Sequence, residues 1–417
     1  MINAHPKFFK KLKEPFVTLF ILATFYLLNV FNSWPGLKLS GWRGDIKYAD
    51  QEYVLHYAKC FAEFGANIYS SGSNLGKCGG YVYSVDLLRA INWFGLENLN
   101  RNSLGISFLL LVLLIIFFIV SLNQNNKRIE TVQLLAFTSP GVWLLLERGN
   151  YDELILIFLF LGSLTIKTKM APVGFIFIAF ATLYKFYTLP VLVIFAMLHL
   201  KRNNSFFYIP ILVSVALRTL FTISDISKFP ETWNISFGLK SLGLYFNLLF
   251  NKLNLNFQFS DIATSVLGLS LLITFSILFR HFNVNFVLQN NFNKKPPELS
   301  HRIFGIFLCT FLSCYFGGMS FDYRLTFFAV VVVLSRSIFL PNKAQKTSTI
   351  IGVFALWTSC FNFGLPRSIF LLFQLLGDIG IAMIVSLYLN AFLSQANSQK
   401  SGKLMNLKNW KMQRFTS

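Results

Sequence analysis

Apolar runs recur about a dozen times along this chain, mostly separated by only a few polar residues, and nothing else in it narrows the fold as far. They fall at 16–31, 104–122, 132–146, 154–166, 171–183, 186–200, 206–221, 262–279, 303–318, 325–340, 349–363 and 369–392. A helix crossing a bilayer needs about 20 mostly apolar residues, and in lipid the helix is the open-chain form that satisfies its own backbone donors and acceptors. Hydrophobic residues make up 54% of the 417, charged ones only 13%, and there are 49 Phe, a composition that a water-exposed surface of this size does not tolerate. The expected fold class is an all-α polytopic membrane protein, a single bundle over 1–417. The first run follows Lys7, Lys10, Lys11 and Lys13 and ends in Asn32-Ser33-Trp34-Pro35 without a small-residue cleavage pattern, so it reads as a first anchor and not as a cleaved leader.

A formal charge of +20 raises the question of nucleic acid, but the chain has no basic groove-binding module, and no nucleic-acid partner is expected. The basic residues instead fall where a topology signal would put them. With the N-terminus inside, the inner loops receive Lys127-Arg128, Lys167 and Lys169, Lys201-Arg202, Lys294-Lys295, and Lys343 with Lys346. The basic tail, 395–417, also falls inside and adds Lys400, Lys403, Lys408, Lys411 and Arg414. The same threading sends Asp45, Asp50, Glu52, Glu147, Asp152, Glu153 and Asp322 outside. Inner loops this short hold no soluble domain, so chemistry is expected on the outer face.

Two outer loops are long, the first at 33–103 and the fourth at 222–261. They contain amphipathic pieces near 51–64, 81–94 and 239–253, expected to lie along the membrane surface with membrane lipids as partners.

The stretch "LLLERGNYDELILIF" places Glu147, Arg148, Gly149, Asn150, Asp152 and Glu153 between runs of about 15 and 13 apolar residues, each too short to cross untilted. The polar turn should therefore sit below the membrane surface. Either its charges neutralise one another, or they line a wet cavity, the setting in which charged backbone at membrane depth persists. Two further intrusions fall on the same side: "TLYKFYTLP" with Lys185, which could instead snorkel toward headgroups, and "GMSFDYRLTFF" with Asp322 and Arg324. Polar turns of short helices converging on one face describe a cavity that opens outward.

Together, "GWRGDIKYADQEYV", "ERGNYDELI", "KFYTLP" and "FDYRLTFF" resemble the polyprenyl-phosphate-sugar-dependent glycosyltransferases of the GT-C superfamily, most closely the glycosyltransferase family 87 type of bacterial membrane protein. The resemblance runs in order from Asp45 to about Leu334. It implies a GT-C-like bundle of about 12 transmembrane helices in the bacterial cytoplasmic membrane, both termini cytoplasmic. It also implies an inverting transfer of a sugar from a polyprenyl-phosphate donor to a lipid or glycan acceptor at the outer face. The family's Asp-x-x-Tyr pattern matches Asp45 and Tyr48, so the general base falls on Asp45, with Asp50 as the second candidate. A base is needed because a sugar hydroxyl is a weak nucleophile until its proton is taken.

The departing phosphate calls for cations, and Lys185, Arg324 and Arg148 are the candidates. Glu147, Asn150, Asp152, Tyr187, Asp322 and Tyr323 are candidates for the sugar-facing wall, with Glu147 positioning Arg148. The chain departs from the family pattern in carrying Thr188 where Pro is usual, with Pro190 two residues on.

No cofactor is expected. The first loop lacks an Asp-x-Asp cluster for a divalent metal, the five His form no metal motif, and Cys309, Cys314 and Cys360 lie in apolar runs. "SSGSNLGKCGGY" lacks the Gly-x-x-x-x-Gly-Lys-Ser/Thr spacing of a nucleotide loop. Cys60 and Cys78 are the two cysteines of the first outer loop; they are either bonded to each other, as an oxidising compartment favours, or free with Cys60 buried. Two alternatives stay open. A lipid-linked oligosaccharide flippase or carrier would need matching halves, and a polysaccharide polymerase or ligase would share the lipid-phosphate donor.

Overall fold

The computed structural model describes residues 48–69, 78, 81, 84–122, 129–166, 168–200, 205–225, 236–255, 258–281, 298–317, 320–321, 324–339, 343–359, 366 and 368–391. The run at 16–31 and the tail at 395–417 lie outside them.

The described residues are overwhelmingly helical. Helices α1 (Ala49–Phe64) and α2 (Val85–Trp93) belong to the first loop, followed by α3 (Arg101–Leu122), α4 (Ile129–Phe137), α5 (Pro140–Arg148), α6 (Asp152–Thr165) and α7 (Ala171–Tyr184). Next come α8 (Leu189–Leu200), α9 (Ser205–Asp225), α10 (Ser241–Lys252), α11 (Asp261–His281), α12 (Glu298–Phe316), α13 (Leu325–Ile338) and α14 (Lys343–Thr358). The last, α15 (Ser368–Ala391), completes the series.

Four of the described helices have a stretch long and apolar enough to cross a membrane: Arg101–Leu122, Ile262–His281, Leu299–Phe316 and Ser368–Ala391. Ala171–Tyr184, Phe186–Leu198, Phe207–Thr222 and Leu325–Ile338 are apolar but shorter. Exposed Ile262, Val266, Leu269, Ile273 and Ile277 line α11, as exposed Ile106, Leu110 and Leu114 line α3. Such apolar stripes are stable against lipid and costly against water.

One expected run is corrected. The stretch at 132–146 is two short helices, α4 and α5, divided at Thr138-Ser139. Pro140 has no N–H to continue α4 and takes the first turn of α5, with Ser139 at the N-cap position but making no side-chain cap. Trp143 Nε1 donates to the freed Thr138 carbonyl at 2.8 Å, which satisfies part of the break.

The core is built around α13. Its sequence, LTFFAVVVVLSRSI, is apolar over its first ten residues except at Thr326, and all ten are buried. Helices α3, α4, α5, α12 and α14 surround it. Whatever sits at its N-terminus, Arg324 in this chain, is held by a deeply enclosed helix.

Antiparallel pairs α5–α6, α7–α8 and α12–α13 bring their polar turns to the same end of the bundle, where Arg148 pairs with Asp50, and Lys185 and Arg324 pair with Asp152. Close helix contact helps set this geometry: a Cβ at Gly162 of α6 would lie 2.7 Å from Ile178 of α7.

The amphipathic pieces expected at 51–64, 81–94 and 239–253 are the helices α1, α2 and α10. The first two pack on each other more than on any flat surface. Val54, Leu55, Tyr57, Ala58, Val85, Leu88 and Ile91 form a small core that Tyr151 of the bundle joins. Asn92 Nδ2 donates to the Ala58 carbonyl at 2.8 Å, and Arg218 of α9 grips Asp86 through Nε at 3.0 Å. Trp93 and Phe94, at the far end of α2, are exposed, the placement of aromatics that seat in a headgroup layer.

A two-residue antiparallel pairing that the sequence did not signal, Ser236–Phe237 with Ser320–Phe321, joins the fourth loop to the turn before Arg324.

Cys60 and Cys78 are bonded, with Cα atoms 5.5 Å apart, which decides between the two sequence readings. Closing a loop of 18 residues restricts the unfolded chain by about 3 kcal/mol. Reduction, or Cys78→Ser, is therefore expected to lower the melting temperature of the purified protein. Unreduced, unfolded protein should leave just Cys309, Cys314 and Cys360 open to alkylation. Labelling of all five cysteines without reductant would contradict the bond.

Candidate functional site

Asp152 is the centre of the polar cluster. It opens α6, where the helix N-terminus favours a carboxylate, and it is fully buried. Tyr187 Oη donates to Oδ1 at 2.6 Å, Lys185 Nζ lies 3.7 Å from the same oxygen, and Arg324 Nε donates to Oδ2 at 3.2 Å. The Arg324 guanidinium also lies over the Tyr187 ring, 4.8 Å from its centre, a cation–π contact that Lys could not reproduce with the same fork. Three segments, α6, the 185–188 turn and the start of α13, thus meet on one carboxylate. Two of the turn's charges, Arg148 and Asp152, find ion partners outside the turn.

Local structure explains Lys185. Helix α7 ends at Tyr184, Lys185 is extended (φ −143°, ψ 103°), and 186–188 form a 3-10 turn into α8. Thr188 places its hydroxyl 3.1 Å from the Lys185 carbonyl and 3.0 Å from the Thr182 hydroxyl. A buried hydroxyl thus bridges the break, and Pro190 enters α8 one position after its start. With the chain kinked here, Lys185 points inward and is buried; it does not snorkel.

A second ion pair adjoins the first. Asp50, on the first turn of α1, pairs with Arg148 and accepts from Asn150 Nδ2, while Asn150 Oδ1 accepts from the Asp152 N–H at 2.9 Å. Asn150 therefore ties the Asp50 carboxylate to the Asp152 backbone, and its amide is occupied on both sides. Arg148 pairs with Asp50, and the Glu147 carbonyl accepts from the Tyr48 N–H at 2.8 Å. Asp45, Asp322 and Tyr323 lie outside the described residues. Tyr48, the other half of the Asp-x-x-Tyr pattern, is buried in a left-handed conformation (φ 54°) against the turn.

Gly149 makes that contact possible. Its φ of +58° is the left-handed region, and a Cβ there would lie 2.8 Å from the Tyr48 ring and 2.9 Å from Gln51 Cγ. Gly149→Ala is expected to destabilise the protein by about 1–3 kcal/mol through backbone strain alone, with further loss from displacing Tyr48. A melting curve in detergent checks this; an unchanged midpoint would remove Tyr48 and Gly149 from the account.

Gln51 escaped the sequence reading of the site, and Glu153 entered it only as one charge of the polar turn. Gln51 falls on the buried face of α1 with Val54, Leu55 and Ala58, an i, i+3, i+4, i+7 series. A polar residue on that face was the available signal. Glu153, beside Asp152, is equally buried. Among the described residues, the group of possible metal ligands within reach of one another is His56, Cys60 and Cys78, away from this cluster, and its two sulfurs are joined in the disulfide.

Comparison with family models, with curated proteins and with solved structures gives no match for this chain.

Proposed function

We propose that this chain is a GT-C-type glycosyltransferase, a bundle of about 12 spans in a bacterial cytoplasmic membrane with both termini inside. In this reading it moves a mannose-like hexose or a pentose from a polyprenyl-phosphate donor to a lipid or polysaccharide acceptor at the outer face. One observation carries the reading: Lys185, Tyr187 and Arg324 converge on buried Asp152 at the end of an apolar helix bundle.

Two clustered cations at membrane depth are costly unless something uses them. A lipid-borne phosphate arrives from the bilayer at the same depth, and Arg supplies a forked grip while Lys supplies a point charge. Asp152 holds both cations in place between turnovers and keeps them from repelling each other. The N-terminus of α13 adds a favourable dipole for an anion at Arg324.

Transfer is a single displacement. Asp45 takes the proton of the acceptor hydroxyl, the oxygen attacks the anomeric carbon, and the bond from that carbon to the phosphate oxygen breaks. Polyprenyl phosphate leaves with the bonding electron pair, and the cations stabilise its growing charge. Asp50 already holds Arg148 and Asn150, which favours a positioning role for it and leaves the base to Asp45. The Cys60–Cys78 bond fits a first loop that faces an oxidising compartment.

Mass spectrometry of envelope glycolipids and glycans from cells with and without the protein tests the function. The expected result is one glycan short by one sugar, with its polyprenyl-phosphate donor accumulating. An unchanged set of glycans and lipid donors would refute it, and accumulation of an entire lipid-linked oligosaccharide would point to a flippase or polymerase.

A further inference from the structure

Within the polar cluster, Glu153 and Gln51 each have both side-chain polar atoms buried without a hydrogen-bond partner among the described residues. Both residues are 0% exposed. Their neighbours are occupied: Asp152 by Tyr187, Lys185 and Arg324, Asn150 by Asp50 and the Asp152 N–H. Both belong to the same corner. Gln51 follows Asp50 and lies against Gly149, and Glu153 follows Asp152 and donates its N–H to the Asn150 carbonyl at 2.8 Å.

Burying a polar atom without a partner costs a few kcal/mol, and a carboxylate costs more than an amide. Four such atoms in one corner call for a guest of defined chemistry. It must donate to Glu153, both donate to and accept from Gln51, and carry no negative charge, since Asp50 and Asp152 adjoin. Adjacent hydroxyls on a sugar ring meet all three demands, because each hydroxyl donates once and accepts twice.

We propose that Glu153 and Gln51 form the subsite for the hydroxyls of the donor's sugar, next to the phosphate grip of Lys185 and Arg324; this rests on the glycosyltransferase reading above. Glu153 accepts from two neighbouring hydroxyls, and Gln51 distinguishes hydroxyl orientations by offering one donor and one acceptor. A site built to pair buried polar groups rejects a ligand that lacks the hydroxyl far more strongly than an apolar pocket rejects a missing methylene.

The test uses the full chain in lipid nanodiscs and compares binding of undecaprenol, undecaprenyl phosphate and a panel of undecaprenyl-phosphate hexoses and pentoses. Expected is tighter binding of at least one sugar-bearing lipid than of undecaprenyl phosphate. Glu153→Gln and Gln51→Met should each reduce that preference by about tenfold or more while leaving undecaprenyl phosphate binding unchanged. Gln51→Met keeps the volume of the site and carries the test where Glu153→Gln does not fold. An equal loss for sugar-bearing and bare phosphate lipids, or an unchanged preference, overturns the subsite and leaves the phosphate reading intact. A preference that depends on added Mg²⁺ or Mn²⁺ and vanishes in both variants would assign the corner to a cation, again overturning it. Binding of undecaprenyl phosphate no tighter than undecaprenol, with no sugar-bearing lipid bound tighter either, would remove the phosphate reading and this inference together.

Discussion

Asp152→Asn is expected to destabilise the protein by about 3–5 kcal/mol and to abolish transfer. The substitution preserves shape and removes one charge, so its effect isolates electrostatics. It leaves Lys185 and Arg324, both largely buried, facing a neutral amide at positions 3.7 and 3.2 Å from the present oxygens. Breaking a buried ion cluster from one side costs more than the cluster is worth, because uncompensated charge remains inside. Thermal unfolding in detergent measures the loss. Coupling gives a second check: with Arg324→Gln added, the double variant should be less destabilised than the sum of the two single ones. Additive losses would mean that the two side chains do not share an environment.

Lys185→Gln and Arg324→Gln are each expected to raise the lipid donor concentration at half-maximal rate by about 10- to 100-fold, equivalent to about 1.5–3 kcal/mol for a charge-assisted contact. Arg324→Lys separates charge from geometry. It keeps the cation but loses the fork and the stacking on Tyr187, so it should recover only part of the loss. Donor use that matches the parent in both Gln variants would place the phosphate elsewhere.

Helices and turns were legible in the sequence because lipid imposes one rule on every span: the backbone satisfies itself and the side chains are apolar. Lys185, Arg324 and Asp152 stood out as charges interrupting that rule, and a polar interruption is visible without any tertiary knowledge. What joins them was not legible. The pairing of Asp50 with Arg148 spans 98 positions and that of Arg324 with Asp152 spans 172; local periodicity contains no term for either.

The break at Pro140 was hidden for a different reason. Hydropathy averages over Thr138 and Ser139, while the missing N–H of Pro140 acts at one position. Gln51 carries no charge to mark it in the sequence, although a neutral amide on an apolar face is as conspicuous energetically. The disulfide left two readings open in the sequence because compartment and burial argue in opposite directions for Cys60; the Cα separation settles it.

Photo-crosslinking reaches the central claim most directly. A polyprenyl phosphate with a diazirine next to the phosphate, irradiated with the full-length protein in native membranes, can be mapped by peptide mass spectrometry. The account predicts labels at 184–188 and 324–328, removed by competing polyprenyl-phosphate sugar and lost in Arg324→Gln. Labels confined to the lipid-exposed stripe of α11, or insensitive to competitor, would contradict it.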